Sequence, residues 1–231
     1  MNFLKNVFVQ AFLIAVALVV STYALAYSLG WIQGDPNWWE IAASGLNYGA
    51  TYLSIKQKRF FYLLGITASG IYAYVYGDAG LIASAVLSAY LTISLIYGFL
   101  RWGGDKKTRP VHRIQGWWWL AYIGATGVFY GGAVLITTAL GGSFAPFDAA
   151  ILVLTILAQF MLDNKVIETW AVWTLVNIVG VGLYFTAGLH FAAIQQLIFG
   201  FANLWGFLAW KKTMNPKESL TSVNIDDKVT A

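Results

Sequence analysis

The sequence predicts an all-α polytopic membrane protein of eight transmembrane helices, in which a first helix precedes a core of three, one and three. Three observations carry this prediction: the composition, the length of the apolar runs and the one-sided placement of positive charge. Of 231 residues, 59% are hydrophobic and 10% are charged, whereas soluble domains carry roughly 25% charged residues. The composition excludes a soluble enzyme, a nucleic-acid-binding protein and a disordered protein, and the absence of cysteine excludes disulfides and thiolate chemistry.

Eight apolar runs are long enough to cross a bilayer as helices, for which about 20 residues suffice. The predicted spans are 7–29, 38–55, 60–77, 79–100, 115–140, 145–162, 166–187 and 189–210. Several links are very short, the shortest being Asp78 and Gly188, so the helices that they join form antiparallel hairpins. Successive loops therefore alternate between the two sides of the membrane.

The positive charges fall on one side of this topology. All 14 Lys and Arg residues lie on the side of the two termini, and the other side carries carboxylates without any cation. Those carboxylates are Asp35, Glu40, Asp78 and Asp148. Because cytoplasmic loops are enriched in Lys and Arg, both termini are predicted to be cytoplasmic.

The N-terminal run has a competing interpretation. Lys5, the apolar run after it and the motif Ala24-Leu25-Ala26 are similar to a cleavable signal peptide, although the run is longer than a usual signal sequence. Cleavage would leave seven spans and would not change their orientation.

An internal repeat relates two parts of the chain at an offset of 108 residues. The segment 97–102 (Tyr-Gly-Phe-Leu-Arg-Trp) matches 205–210 (Trp-Gly-Phe-Leu-Ala-Trp), and Tyr76 falls on Tyr184. Spans two to four and six to eight cross the membrane in the same order, so we expect two parallel repeats joined by an inverting fifth span. The predicted divisions are the N-terminal helix and outer loop 1–37, the first repeat 38–102, the cytoplasmic loop and linker helix 103–144, the second repeat 145–210 and the cytoplasmic tail 211–231.

Polar side chains in the second repeat mark the candidate binding site, because a polar group in hydrocarbon usually faces the bundle interior. Trp170, Trp173 and Asn177 share one face of the seventh span, and Asn177 lies about 16 Å along it at 1.5 Å per residue. Gln196 and Asn203 share a face of the eighth span in the same way. Together they predict a mid-membrane chamber lined by indoles and amides.

The sixth and second spans add polar residues at equivalent places. Thr155 and Gln159 of the sixth span map by the same offset onto Asn47 and Thr51 of the second span. We therefore expect Gln159, Asn47 and Thr51 to line the chamber as well. Interhelical hydrogen bonds, worth about 1 kcal/mol each, are the alternative explanation for such residues.

Most tryptophans are predicted to lie in the aromatic belts at the two membrane surfaces. The outer belt would hold Trp31, Trp38 and Trp39, and the inner belt Trp102, Trp117, Trp118, Trp119 and Trp210. Trp170 fits either the inner belt or the binding site, and both interpretations stay open for it.

The predicted spans carry no deep charge. No Lys or Arg and no Asp or Glu is expected well inside a span, and the sequence has neither a phosphate-binding Walker loop nor an HExxH zinc motif. We therefore expect no catalytic residue, no metal ligand and no cofactor, and passive alternating access rather than active pumping. A membrane enzyme is the weakest alternative.

The segment 168–177 (Glu-Thr-Trp-Ala-Val-Trp-Thr-Leu-Val-Asn) resembles the WxxWxxxN signature of the PnuC-type nicotinamide riboside transporter family. Gln196, Asn203 and the aromatic-Gly-x-x-x-Trp ends of the fourth and eighth spans also match. The resemblance covers about 38–210 and implies a three-plus-one-plus-three core similar to a full-length SWEET sugar transporter. The chain departs from the pattern at Leu95, which occupies the first-repeat equivalent of Asn203.

The resemblance also implies an activity and partners. It implies facilitated diffusion of nicotinamide riboside across a bacterial inner membrane, with trapping by a cytoplasmic riboside kinase, and it leaves a homo-oligomer open. Trp170 or Trp173 would stack on the cationic pyridinium, an interaction worth about 2 kcal/mol when desolvated. The carboxamide and the ribose would be bound by Asn177, Gln196, Gln159 and Asn203.

Two alternatives to this function stay open. Relatives in the superfamily carry thiamine or riboflavin, so a transporter of another flat vitamin is the first. The second is a non-transporting membrane receptor or scaffold, for which a dry midplane with Trp173 facing lipid would argue. Since the sequence offers no cationic phosphate clamp, the phosphorylated mononucleotide is expected to bind poorly.

Overall fold

The computed structural model describes residues 6–31, 37–78, 82–102, 110–139, 145–186 and 190–214. Its eight helices are α1 Val7–Ser28, α2 Trp38–Ile55, α3 Phe61–Asp78, α4 Ile82–Arg101, α5 Trp118–Ala139, α6 Ala145–Asp163, α7 Thr169–Thr186 and α8 His190–Thr213. The eight predicted helices are confirmed, and their ends differ from the predicted ones by at most three residues. Outside the described residues lie Lys5, Asp35, Gly188, the loop segments 103–109 and 140–144 and the tail beyond 214.

Four of the helices are long and apolar enough to cross a membrane by length and composition alone: α1, α5, α6 and α7. α8 is less apolar because it contains Gln195, Gln196 and Asn203, and because Lys211 and Lys212 occupy its last turn. The chain is a multi-pass membrane protein in which a less apolar helix carries several of the polar groups of interest.

Asparagine side chains begin the first two helices. Asn6 Oδ1 accepts a hydrogen bond from the Phe8 N–H at 2.9 Å. Asn37 Oδ1 accepts from the N–H groups of Trp39 and Glu40 at 3.1 and 3.2 Å. Such caps satisfy first-turn amides that have no partner within the helix, and so they fix where each helix starts.

The turns before α3 and α7 are built alike. Gln57 and Lys165 occupy equivalent places in them and adopt left-handed φ angles of 52° and 56°. The Gln57 N–H donates to the Ser54 carbonyl at 2.9 Å, and the Lys165 N–H donates to the Leu162 carbonyl at 3.0 Å. The neighbouring backbone hydrogen bonds repeat in the same way. The backbone of the two turns therefore follows the 108-residue offset found in the sequence.

Just after each turn, an aromatic ring packs directly on a glycine of the following helix. Tyr62 of α3 lies against Gly98 of α4, and Trp170 of α7 lies against Gly206 of α8. A Cβ added to Gly206 would come within 2.6 Å of three ring carbons of Trp170. These close approaches require glycine, and they too recur at the 108-residue offset.

Trp102 and Trp210 are buried within the bundle, so their assignment to the inner aromatic belt is wrong. Their exposed fractions are 5% and 0%, and their ring centroids lie 6.3 Å apart. Each also meets an aromatic ring edge to face, Trp102 with Tyr62 at 5.5 Å and Trp210 with Trp170 at 5.3 Å. Contact with these rings, rather than with lipid headgroups, positions them. We call this region the paired-tryptophan end.

Helix contacts divide the bundle into a first half, α2–α4, and a second half, α6–α8. Within the halves, α3 packs between α2 and α4, and α7 packs between α6 and α8. Across the halves, α2 contacts α8, and α4 contacts α6. α1 packs on α2 and α8. Among the described elements α5 contacts α6 alone, and none of its residues is buried.

The two halves run in the same direction. Trp210 Nε1 donates to the Ser54 carbonyl at 3.1 Å, which brings the ends of α8 and α2 together. The Tyr62 hydroxyl donates to Asp163 Oδ1 at 2.7 Å, which brings the start of α3 to the end of α6. Trp102 follows α4 directly and touches Trp210. The helices α2, α4, α6 and α8 therefore all end at the paired-tryptophan end.

Candidate functional site

A cavity of about 880 Å³ lies between α7 and α8. Four of the eight predicted site residues line it, namely Trp170, Asn177, Gln196 and Asn203. The other wall residues are mostly apolar: Ala171, Thr174, Leu175, Ile178, Val181, Leu197, Gly200, Phe201, Leu204 and Phe207. The cavity is broadly open on one side, where the wall residues Ile178, Leu197, Phe201 and Leu204 are 52–77% exposed. A mainly apolar wall with a few polar groups is typical of a small-molecule site.

Three buried donors of this cavity wall have no hydrogen-bond partner in the protein. They are Asn177 Nδ2, Asn203 Nδ2 and Trp170 Nε1, on side chains that are 3–4% exposed. A buried donor without a partner costs about 1–3 kcal/mol, so such groups are rare unless something else satisfies them. All three atoms are covered by neighbouring side chains in this conformation, so oxygen atoms of a ligand would satisfy them only after those side chains move.

Gln196 is held beside these groups by a close approach to α7. A Cβ added to Gly180 would lie 3.1 Å from Gln196 Cγ, so the glutamine side chain lies directly over that glycine. Glycine at this position leaves room for an amide between the two helices. The local sequence of α7 therefore determines where the amide of α8 sits.

Trp170 is buried, which excludes a place in the lipid-facing belt. Its exposed fraction is 3%, and its ring lies between Gly206 and Trp210 while also forming the cavity wall. Trp173 shares the same helix face but is half-buried and does not line this cavity. Of the two indoles in the motif, the cavity therefore takes its wall from Trp170.

The remaining predicted residues lie elsewhere. Gln159 is buried and donates from Nε2 to Asp163 Oδ1 at 2.7 Å. Thr51 lines a second cavity of about 290 Å³, whose wall comes from α1, α2 and α8. Asn47 is half-buried and lines neither of these two cavities. The structure thus brings four predicted residues together and separates the other four from them.

A polar cluster between the two halves was not predicted as part of the site. Gln195 of α8 points toward the first half and lies beside the hydroxyls of Tyr48 and Tyr72. Tyr48 shares a hydrogen bond with Thr22 at 3.1 Å, and Tyr72 shares one with Ser44 at 3.0 Å. The four-residue spacing of Ser44 and Tyr48 on α2 is the sequence signal that could have identified this cluster.

Asp163 is a second residue that sequence analysis missed. It ends α6 and is 2% exposed, so a carboxylate is buried at the paired-tryptophan end, at a helix end and not deep in a span. Its Oδ1 accepts hydrogen bonds from Tyr62 and Gln159. Thr155, Gln159 and Asp163 follow one another at four-residue spacing on one helix face, which was the available signal.

Lys165, in the turn after α6, is also buried. Its Nζ lies 4.4 Å from the centroid of the Trp102 ring, and burial lowers the pKa of its ammonium group below the ordinary value. The ring face stabilises the cation where water is excluded. Among the described residues no group of three or more His, Asp or Glu side chains is placed to hold a metal ion.

A multi-pass helical bundle with a mainly apolar cavity and unsatisfied indole and amide donors is the arrangement of a membrane transporter for a small organic solute. A family model described as nicotinamide mononucleotide transporter matches residues 37–212. The chain belongs to this family. The predicted resemblance to PnuC-type transporters is confirmed.

Two curated relatives illustrate the range of the family. The nicotinamide riboside transporter PnuC of Escherichia coli (strain K12) is 26% identical over 213 residues, which cover 80% of this chain and 86% of that one. The riboflavin/roseoflavin transporter RibM of Streptomyces davaonensis is 32% identical over 157 residues, which cover 64% of this chain and 71% of that one. Relatives with different vitamins in their names therefore share this sequence pattern.

A solved structure shares the fold. The crystal structure of the vitamin B3 transporter PnuC superposes with a TM-score of 0.70 at 19% sequence identity, covering 86% of this chain and 89% of that one. At this identity the likeness establishes the arrangement of the helices. It agrees with the all-helical membrane fold predicted from the sequence.

Proposed function

We propose that this protein carries nicotinamide riboside across a bacterial inner membrane by facilitated diffusion. The observation that carries the proposal is the α7–α8 cavity, whose wall residues include three with buried donors that lack protein partners, in a chain of this transporter family. The E. coli relative is named a transporter of the same riboside. The substrate crosses unchanged, so the proposal includes no enzymatic step.

The chemistry of the cavity suits this substrate. The face of an indole attracts a cationic pyridinium, and Trp170 supplies an indole to the cavity wall. Amide groups donate and accept hydrogen bonds, as a carboxamide and ribose hydroxyls require, and Asn177, Gln196 and Asn203 supply them. Trp173, Gln159, Asn47 and Thr51 would contribute only in another conformation of the two halves.

The orientation and the repeat also belong to this proposal. Cations cluster at the paired-tryptophan end, with Lys211 and Lys212 in the last turn of α8 and Lys56 just after α2. We assign this end and both termini to the cytoplasm. The repeated turns and the shared direction of the halves support parallel three-helix repeats in a SWEET-like core. The α7–α8 cavity belongs to the second half, so in this proposal rocking of the halves would alter access to it by moving α8 relative to α2.

Facilitated diffusion gives accumulation only if the product is consumed. A cytoplasmic kinase that phosphorylates the riboside would trap it, since none of the residues lining the cavity carries a positive charge to hold a phosphate. The mononucleotide would have to lose hydration without gaining an ion pair, which is costly. The transporter therefore would not return the phosphorylated product.

Uptake of radiolabelled nicotinamide riboside into proteoliposomes tests the proposal. We expect the internal concentration to rise to the external one and no further, and we expect the mononucleotide to compete roughly tenfold more weakly or worse, a factor that corresponds to about 1.4 kcal/mol. Protein-free liposomes are the control. Absence of riboside uptake, or equal competition by the mononucleotide, would contradict the proposal.

A second candidate substrate is riboflavin, because the relative at 32% identity is named a riboflavin/roseoflavin transporter. Thermal unfolding with a panel of nicotinamide riboside, riboflavin and thiamine separates these vitamins, since a ligand that binds the native state raises the unfolding temperature. We expect the riboside to give the largest shift. A larger shift with riboflavin would transfer the assignment to that vitamin, and no shift with any of them would favour a receptor or scaffold.

A further inference from the structure

A buried hydrogen bond joins the two halves at the paired-tryptophan end. The Tyr62 hydroxyl of α3 donates to Asp163 Oδ1 of α6 at 2.7 Å. Tyr62 is 0% exposed and Asp163 is 2% exposed, and Gly98 of α4 lies against both side chains. The two side chains are therefore almost fully buried where the halves meet at this end.

The equivalent place on the other side of the repeat has no such bond. By the 108-residue offset, Tyr62 corresponds to Trp170, and Asp163 corresponds to Ile55. Trp170 Nε1 is buried without a partner, and Ile55 is an apolar residue that is 3% exposed. The Trp170 ring is therefore packed in its place without a hydrogen bond to a residue at the position of Asp163. Packing of the ring does not require a carboxylate.

The carboxylate has a second partner that belongs to its own helix. Gln159 Nε2 donates to the same Oδ1 atom at 2.7 Å, and both residues lie on α6 one turn apart. If the halves separated, Gln159 would stay with Asp163 while Tyr62 left with α3. The carboxylate would then keep a hydrogen bond, which lowers the cost of exposing it.

We propose that Tyr62 and Asp163 form the inner gate of the transporter, which holds the two halves together at the cytoplasmic side and must open to release substrate there. The inference rests on the proposed transport function, because alternating access requires the halves to separate at one end at a time. Trp210, whose Nε1 donates to the Ser54 carbonyl, is a second contact between the halves at the same end. The two seams differ in kind: the first is joined by a bond between the side chains of Tyr62 and Asp163, and the second by the bond from Trp210 to the backbone carbonyl of Ser54.

The chain offers a clean reporter for this gate because it contains no cysteine. Thr155 lies two turns before Asp163 on the same face of α6, about 12 Å deeper at 1.5 Å per residue, and is 5% exposed. A Thr155→Cys substitution therefore places a single thiol behind the proposed gate. Its reaction with a charged, membrane-impermeant thiol reagent reports whether that depth is open to water.

The experiment compares labelling of Thr155→Cys in inside-out vesicles with and without Tyr62→Phe. Removing the phenol hydroxyl keeps the ring against Gly98 and removes the bond, so we expect labelling to become about tenfold faster. Asp163→Asn keeps an acceptor oxygen and should label within about twofold of the parent. Tyr97→Phe, at an exposed tyrosine of α4, is the matched control and should leave the rate unchanged.

Two results would overturn the gate. One is an unchanged labelling rate in Tyr62→Phe, and the other is an Asp163→Asn protein that labels as fast as Tyr62→Phe. The measurement uses no substrate, so its outcome is independent of which vitamin is carried. If riboside uptake fails but Tyr62→Phe still speeds labelling, the proposed substrate is rejected and the gate is kept. If riboside uptake succeeds but Tyr62→Phe does not change labelling, the gate alone is rejected.

Discussion

The two halves of the molecule are alike at one end and different in the middle. At the paired-tryptophan end, the first half and the second half carry equivalent side chains in equivalent contacts. These pairs are Tyr62 and Trp170, Gly98 and Gly206, and Trp102 and Trp210. Toward the middle of the membrane the correspondence is lost, and the pairs are Gly65 and Trp173, Ser69 and Asn177, Ser88 and Gln196, and Leu95 and Asn203.

The difference separates the residues that build the fold from those that bind. Equivalent ring-on-glycine contacts are needed in both halves because each half must close its own hairpin tightly. The cavity amides Asn177, Gln196 and Asn203 of the second half correspond to Ser69, Ser88 and Leu95 in the first half, which carry no amide. A chamber for an asymmetric molecule does not need two equal walls, and here one half supplies the hydrogen-bonding groups.

The largest effect is expected from disrupting the paired-tryptophan end, where the two halves are alike. Gly206→Ala places a methyl group within 2.6 Å of the Trp170 ring, and overpacking of this kind costs about 1–3 kcal/mol. The melting temperature in detergent should fall by roughly 2–12 °C, at about 2–4 °C per kcal/mol for a chain of this size.

Gly182→Ala is the control for that substitution, because among the described residues no atom outside the backbone of its own helix lies within 4 Å of the added methyl group. It should raise the melting temperature by roughly 1–4 °C, because it creates no clash and alanine is favoured over glycine in a helix interior by about 0.5–1 kcal/mol. Equal destabilisation by the two substitutions would show that the ring-on-glycine contact does not hold the end together.

The next effect tests the part where the halves differ. Asn177→Ala should reduce riboside uptake about tenfold, because it removes a donor that has no protein partner and that the proposal assigns to the ligand. Its melting temperature should hold or rise, since the buried amide nitrogen has no protein partner to lose. The equivalent change in the first half, Ser69→Ala, should leave uptake within about twofold. A marked loss of stability in Asn177→Ala would instead identify this residue as an interhelical hydrogen-bonding group.

The smallest effect distinguishes the two indoles of the motif. Trp173→Phe should change uptake by less than about twofold, because Trp173 does not line the cavity. Trp170→Phe should lower uptake about fivefold, since a phenyl face attracts a cation less strongly than an indole face. Measured affinities for the riboside would show the same order. The reverse order would move the stacking position from Trp170 to Trp173.

The helices could be predicted because run length and charge placement are local properties of a membrane protein. Each span needs its own apolar residues, so eight runs gave eight helices. The offset of 108 was also readable, since equivalent turns demand equivalent residues. Gly98 and Gly206 are examples, because a tight helix contact in each half requires glycine at the same position of the repeat.

The candidate site was only partly predictable because it depends on which residues of other helices face each side chain. Helical spacing placed Trp170 and Asn177 on one face, and both line the cavity. The same spacing could not tell that Gln159 faces Asp163, or that Asp163 meets a tyrosine 101 residues earlier in the chain. Burial of a carboxylate at a helix end depends on its partners in other helices, and a single sequence does not specify them.

The isolation of α5 has a mechanical consequence. It buries none of its residues and, among the described helices, touches α6 alone. A connecting helix of this kind moves with the second half, to which α6 belongs, and transmits little force to the first half. Movement of one half relative to the other is therefore resisted by the contacts of α2 with α8 and of α4 with α6, and by α1, which packs on both α2 and α8. The connection through α5 limits only the distance between the two halves.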